Sequence, residues 1–184
     1  MNSNQVQPLL NDIVNWYKQN CDVGLILDIP PRAIQEQTSL NSFQDCLDAT
    51  EQNLVSMLQL AQDYPLLNVL QTCETQKQTD QWCDTLTQHK TAGYAFGAVK
   101  SFYDFMYLFV KLIEEEKLTD RIHILGHGQI SWLYLLNVIQ EYYPDLHITM
   151  DSSTSSRGPG AFGTTFLMPE PLRVKCNKST YFPG

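Results

Sequence analysis

Five short apolar runs in this chain each end on a residue type that could do chemistry. Asp28 follows Val23–Leu27, Gln71 follows Leu66–Leu70, and Gly97-Ala98 closes the run that starts at Tyr94. Gly126-His127-Gly128 follows Ile122–Leu125, and Asp151 follows Leu146–Met150. Two carboxylates, an amide and glycine-rich backbone suit a planar ligand that hydrogen-bonds along its edges, such as a purine-like base. Asp28 could accept from ring N–H and amino groups, Gln71 could bond a carbonyl, and glycines would let backbone N–H groups approach the ring edge. Asp151 opens a stretch of small residues, Ser152 to Ser156, that delivers Arg157 six positions later. Such a loop can come close to a nucleic-acid backbone, where a guanidinium forks onto phosphate or sugar oxygens. Polar residues also end strands simply because the chain reaches water, so the set carries more weight than any member.

Other motifs point less far. Gly126-His127-Gly128-Gln129-Ile130-Ser131 resembles a dinucleotide-binding turn with serine at the third glycine, but no acidic residue closes a strand about 20 residues later as that fingerprint requires. The same stretch lacks the serine placement of a nucleophile elbow. His123 and His147 fall inside apolar runs and are expected to be structural. His127 is better placed but has no acid and base partners in sequence. The four histidines do not cluster, and the five cysteines form no C-x-x-C pair. Neither a metal site nor a cofactor is expected. Glu114-Glu115-Glu116-Lys117 reads as a solvated helix end, and Tyr103, Tyr107, Tyr142 and Tyr143 as helix-packing residues.

These residues must be positioned by alternating elements. The apolar runs begin 43, 28, 28 and 24 residues apart, the size of a βα unit. Between them lie helical patterns at Ser42–Gln62, Thr75–Gln88, Phe102–Glu116 and Gln129–Tyr142, with another over Val6–Gln19 ahead of the first run. Several runs are apolar on both faces, as in a parallel sheet covered on both sides. An α/β fold with right-handed crossovers follows. Five strands in 184 residues suit an open doubly wound sheet, whereas the chemistry at the strand ends suits part of an eight-stranded barrel.

Composition sets the outer limits. At 43% hydrophobic and 17% charged, the chain can bury a core as one domain. Its 20 acidic against 12 basic residues give a net charge of −8, so any grip on phosphates must be local. No apolar run approaches the roughly 18 residues of a membrane span. No basic n-region or apolar h-region follows Met1, so a cytoplasmic protein is expected. The division expected is residues 1–163 as the α/β body and 164–184 as a tail with short strands.

The order of the strand-end residues resembles the C-terminal part of the tRNA-guanine transglycosylase superfamily barrel, nearest to the bacterial and phage branch that inserts 7-deazaguanine bases into DNA. Val23-Gly24-Leu25-Ile26-Leu27-Asp28-Ile29-Pro30 is similar to the strand ending in a base-recognising aspartate. Asn68-Val69-Leu70-Gln71 matches the strand whose glutamine contacts the base. Gly93-Tyr94-Ala95-Phe96-Gly97-Ala98 is similar to a G-Y-A-φ-G-G motif with alanine as its last residue, and Ile122–Gly128 to an L-M-G-V-G strand. Ile148-Thr149-Met150-Asp151-Ser152-Ser153 falls on the strand of the nucleophilic aspartate, with Arg157 at the place of an arginine in the following loop. The resemblance covers Asp22–Arg157. The family's earlier strands, one bearing a second catalytic aspartate in D-S-G-G, have no counterpart, and neither do its zinc ligands, C-x-C-x-x-C plus His.

The resemblance implies a partial (β/α)8 TIM-type barrel of about five parallel strands without the first strands, in a bacterial or phage-infected host cytoplasm. It implies a base exchange in DNA, favoured over tRNA, with Asp151 as nucleophile. Asp28, Gln71, Gly97, Ala98 and Gly126 would bind the base, and Arg157 the nucleic-acid backbone. The partners implied are a 7-deazaguanine base, the nucleic acid, and a second protein chain or missing N-terminal segment that completes the barrel. Three readings compete: a non-catalytic partner subunit of a fuller transglycosylase, a 7-deazaguanine nucleoside hydrolase, and a flavodoxin-like binding module. The last would need a phosphate loop where Asp28-Ile29-Pro30-Pro31 stands.

Overall fold

A computed structural model describes residues 3–34, 40–127, 129–151, 164–167 and 172–175. Helix α1 (Ser3–Asn20) leads into strand β1 (Gly24–Leu25) and a short 3-10 turn at Pro31–Ala33. Four units follow: α2 (Phe43–Ala61) with β2 (Leu66–Gln71), α3 (Gln76–Leu86) with β3 (Gly93–Gly97), α4 (Phe102–Glu114) with β4 (Arg121–Ile124), and α5 (Ile130–Tyr142) with β5 (His147–Met150). The expected helices and strands are all present, with boundaries moved by a few residues. Strands β6 (Thr164–Leu167) and β7 (Leu172–Lys175) pair antiparallel as a separate two-stranded sheet.

The five main strands are parallel and lie in the order β1-β2-β3-β4-β5. A doubly wound sheet reverses its strand order at a switch point, and this sheet has no reversal. With right-handed crossovers, unbroken order puts every connecting helix on one face, and the sheet curls into half of a (β/α) barrel. The open doubly wound alternative, and the flavodoxin-like module with it, are therefore excluded.

Local chemistry explains where the helices start. Ser42 accepts a hydrogen bond from the Asp45 N–H, and Thr75 and Ser101 each form a reciprocal capping box, with Gln78 and Asp104 respectively. These caps satisfy N–H groups that have no partner inside the helix. The apolar stripes then seal the outer face of the sheet. Phe105 stacks on Phe109 at 5.5 Å and meets Phe96 and Trp132 edge-on at 5.0 and 5.7 Å. Each such pair adds about 0.5–1.5 kcal/mol beyond burial. Trp82 is fully buried and donates its indole N–H to the Val69 carbonyl at 3.1 Å, which fastens α3 to β2.

Burial changes across the sheet. Every residue of β2 and β3 is buried, whereas β4 alternates, with Ile122 and Ile124 buried and Arg121 and His123 partly open. In strand β5, His147 and Thr149 are exposed and Ile148 and Met150 half-buried. Two of the four tyrosines expected to pack do not: Tyr103 and Tyr142 are 76% and 79% exposed. Tyr107 instead hydrogen-bonds Asp80 and Gln76, and Tyr143 lies edge-on to Phe109. Among the described residues, no helix is long and apolar enough to cross a membrane.

Candidate active site

The residues singled out at the strand ends gather along one rim, the carboxyl edge of the sheet. Gln71 ends β2 in register with Gly97 at the end of β3. One strand further, the Leu125 N–H reaches the Phe96 carbonyl, and beyond that the Asp151 N–H reaches the Ile124 carbonyl at 3.3 Å. Asp28, beyond the end of β1, completes the row.

Asp28 is placed by α2 rather than by the ladder. The apolar run to Leu27 suggests a strand of five residues, yet β1 has two. The Ile26 N–H still reaches the Leu67 carbonyl, but then α2 captures the backbone. The Leu27 N–H points at Met57 Sδ, the Leu27 carbonyl accepts from Asn53 Nδ2 at 2.9 Å, and the Ile29 N–H donates to Thr50 Oγ1 at 2.8 Å. Thr50 and Asn53 are both buried. These two polar residues, one helical turn apart on an otherwise apolar stripe, fix the approach to Asp28.

The Gln71 amide donates from Nε2 to Asp28 Oδ2 at 2.5 Å. Burial pushes the Asp28 carboxyl above its ordinary value, against the lowering effects of the Gln71 hydrogen bond and of Arg32. Gln71 is only 4% exposed, and its Oε1 is buried without a hydrogen-bond partner. A buried acceptor left open is uncommon and costly in a folded protein. The sequence-level expectation was that Gln71 would bond a carbonyl. Here one N–H of its amide is committed to Asp28, and the atom with no partner is the acceptor Oε1. With the Asp28 carboxyl beside it, this end of the rim is rich in acceptors and suits a ligand edge that carries donors. The amide lies directly over Gly97, where any Cβ would come within 2.6 Å of Gln71 Nε2.

Ala98 adopts φ = 52°, a left-handed conformation that costs an L-residue about 1–2 kcal/mol. Its carbonyl accepts from Thr72 Oγ1, and the Gly97 carbonyl accepts from the Thr72 N–H, so both oxygens are held by the chain that follows β2. A cleft of about 160 Å³ lies beyond this point, lined by Thr72, Cys73, Thr75, Gln76, Thr79 and Tyr107 among others. Burial raises the Cys73 thiol to about 11, which disqualifies it as a nucleophile at neutral pH.

At the other end of the rim, Asp151 is anchored through one oxygen. Oδ1 accepts from the Gly126 N–H at 2.8 Å and lies 3.3 Å from His123 Nε2. Gly126 can aim its N–H this way because its φ is 78°, a conformation that glycine adopts freely. Oδ2 takes no hydrogen bond among the described residues, and the side chain is 59% exposed. An oxygen left free on a carboxylate whose other oxygen is held is the arrangement a nucleophile needs. Gly126, expected at the base edge, thus has its N–H on Asp151.

His127 is engaged elsewhere: Nε2 meets the Val99 carbonyl at 2.7 Å and the ring packs on Trp132 at 4.3 Å, tying the loop after β3 to the loop after β4. His123 lies inside β4, as expected, with its Nδ1 hydrogen-bonded to Thr149, and it also stands beside Asp151. Arg157, the serine-rich loop and Gly128 lie outside the described residues. Among the described residues no group of three His, Cys, Asp or Glu could hold a metal ion. No family model matches the chain, and no curated protein is significantly similar to it.

Proposed function

We propose that the chain carries the base-binding and nucleophilic halves of a base-exchange transglycosylase that replaces guanine in nucleic acid, DNA rather than tRNA, with a 7-deazaguanine. The observation that carries this reading is the pairing, on one rim, of a half-buried Asp28 with the buried, open Gln71 Oε1, and of a carboxylate, Asp151, that among the described residues is anchored through a single oxygen. A guanine-type edge offers N–H and amino donors to the first. The second faces the sugar.

The target nucleotide is turned out of its stack. Asp151 Oδ2 bonds to the sugar C1′ as the bond from C1′ to guanine breaks. Guanine leaves with the bond pair and takes up a proton from water or from an acid on the completing segment. The 7-deazaguanine base then gives up its ring N–H proton and bonds to C1′, and the Asp151 ester oxygen departs with the electron pair. In the resemblance, an aspartate with no counterpart here protonates the leaving group. Strands β1 and β5 each pair with one neighbour only in this sheet. We therefore place that acid on further βα units that complete the barrel, on a second chain or elsewhere in the polypeptide.

The test is covalent trapping. The protein is incubated with labelled duplex DNA, single-stranded DNA or tRNA, with and without a 7-deazaguanine base, and run on a denaturing gel beside Asp151→Ala. A shifted band that is absent in the variant supports the reading, and the substrate that forms it names the target. Folded protein that gives no band with any substrate, even when supplemented with a lysate fraction able to supply the completing strands, refutes it.

A further inference from the structure

We infer that His123 is a positioning residue for Asp151, holding the carboxylate through Oδ1 and stabilising it as it departs from the sugar; this inference rests on the reading of Asp151 as nucleophile.

The argument begins with strand alternation. Ile122 and Ile124 are fully buried under the helices, so His123 points to the opposite, concave face. The register of β4 with β5 sets His123 against Thr149, and Asp151 follows two residues later on the same face. The imidazole is 18% exposed; its Nδ1 is hydrogen-bonded and its Nε2 lies within ion-pair distance of Asp151. Nδ1 is 2.8 Å from Thr149 Oγ1, and Nε2 is 3.3 Å from Asp151 Oδ1.

The Thr149 hydroxyl leaves two tautomers open, and the neighbouring carboxylate chooses between them. Besides His123 the hydroxyl has the Ile122 carbonyl within reach, at 3.4 Å. In a neutral ring whose Nδ1 accepts from the hydroxyl, the ring proton is on Nε2, 3.3 Å from Asp151 Oδ1. In a cationic ring the hydroxyl turns to the Ile122 carbonyl and accepts from Nδ1–H, and Nε2 still carries a proton. The remaining arrangement, a neutral ring protonated on Nδ1, would set a bare lone pair against a carboxylate. The other charged groups on this face, Arg121 and His147, form the next register pair below. Strand β3 contributes Gly93, Ala95 and Gly97 to this face, none of them ionisable.

The surroundings of Oδ1 have a kinetic consequence. In the glycosyl ester formed at Oδ2, Oδ1 is the carbonyl oxygen. When the incoming base bonds to C1′, the ester C1′–O bond breaks, its electron pair returns to the carboxylate, and the negative charge is shared with Oδ1. The Gly126 N–H, hydrogen-bonded to Oδ1, and the His123 imidazole 3.3 Å away then meet that charge as it forms, as an oxyanion hole does. Losing His123 therefore slows decay of the covalent intermediate more than its formation.

The test has one arm that needs turnover and one that does not. In rapid mixing with labelled DNA and a 7-deazaguanine base, His123→Ala should form the Asp151 adduct yet clear it about tenfold or more slowly, the size of one hydrogen bond to a charged group. His123→Gln, which keeps an N–H donor, should recover most of that rate. Adduct decay at the wild-type rate in His123→Ala overturns the inference. In the substrate-free protein, ring 15N shifts at pH 8 should show His123 protonated on Nε2, with that preference lost in Asp151→Ala. A wild-type ring that is bare at Nε2 also overturns it. If no adduct forms in the wild-type protein, the transglycosylase reading fails, and the ring spectra alone decide whether His123 holds Asp151.

Discussion

Replacing Gly97 with alanine should disrupt the Asp28–Gln71 end of the rim without substituting a polar residue. The new Cβ would lie 2.6 and 2.9 Å from Gln71 Nε2 and Cδ, closer than real Cβ atoms come, and 3.0 Å from Oε1. Gln71 has the more flexible side chain, so its amide must swing away, and with it goes the hydrogen bond to Asp28. A hydrogen bond to a charged group contributes about 1.5–3 kcal/mol. Against this, alanine restricts the unfolded chain and returns about 0.4–1 kcal/mol. Net destabilisation of about 1–2 kcal/mol is expected in urea unfolding followed by tryptophan fluorescence. A second readout is specific to the mechanism. The Gln71 contact holds Asp28 down against the upward push of burial, so the Asp28 carboxyl should titrate higher still in Gly97→Ala, read from its side-chain 13C shift. Binding of 7-deazaguanine measured by calorimetry should weaken in parallel. A variant as stable as wild type, with Asp28 titrating unchanged, would refute the claim that glycine is required at 97 to seat the amide.

Two further substitutions probe the same rim. Ala98→Gly relieves a left-handed alanine at the cost of some unfolded-state entropy, and should raise the thermal midpoint by about 1–3 °C, for roughly 0.5–1 kcal/mol; a lower midpoint would show that the alanine methyl makes up for its strain. Asp28→Asn should stabilise the protein at neutral pH while abolishing base binding. The sign follows from burial: the folded-state value is raised above 3.8, so Asp28 contributes stability below 3.8 that is lost as pH rises through the folded value. Urea midpoints for wild type and variant should therefore converge near pH 3 and separate in the variant's favour at pH 7. A variant less stable than wild type at pH 7 would mean that the Gln71 bond outweighs desolvation.

Most of the fold was legible because each element has its own local signal. Apolar runs of strand length, helical stripes and the Ser42, Thr75 and Ser101 caps all act within a few residues of chain. The first strand was overestimated because its end is decided by Asn53 and Thr50, about 25 residues away on another element. That signal was present as two polar residues a turn apart on the apolar face of α2, but its meaning depends on which backbone lies beneath them. The closeness of His123 to Asp151 was hidden for the same kind of reason. The alternation Ile122-His123-Ile124 does put the histidine on the face away from the helices. That this face also carries Asp151 is set by the register of β4 on β5, and one residue of slip would point the histidine at the helices. The left-handed Ala98 was hidden too, because alanine announces no turn. The shape of the carbonyl trace after β3, held by Thr72, sets it.

The grading of burial across the sheet gives the two ends of the rim different physical characters. Strands β2 and β3 are buried at every position, so Gln71 and Gly97 sit on backbone that can shift only by disturbing the core. Discrimination between bases that differ by single donors or acceptors needs such a fixed frame, because an unmatched acceptor in a dry site is costly and a loose one can readjust. Asp151 follows a partly open strand, three strand intervals of about 4.8 Å from Gln71 along the curl. Its side chain is open to a substrate as large as a nucleic acid, and its orientation is held by the Gly126 N–H and the neighbouring His123 rather than by burial. A small-molecule hydrolase would gain by enclosing both ends. If, as proposed, the base binds at the closed end and the sugar at the open end, selectivity belongs to the buried strands. Access for a polymer belongs to the β5 edge, and changes there should alter which nucleic acid is used before they alter which base is accepted.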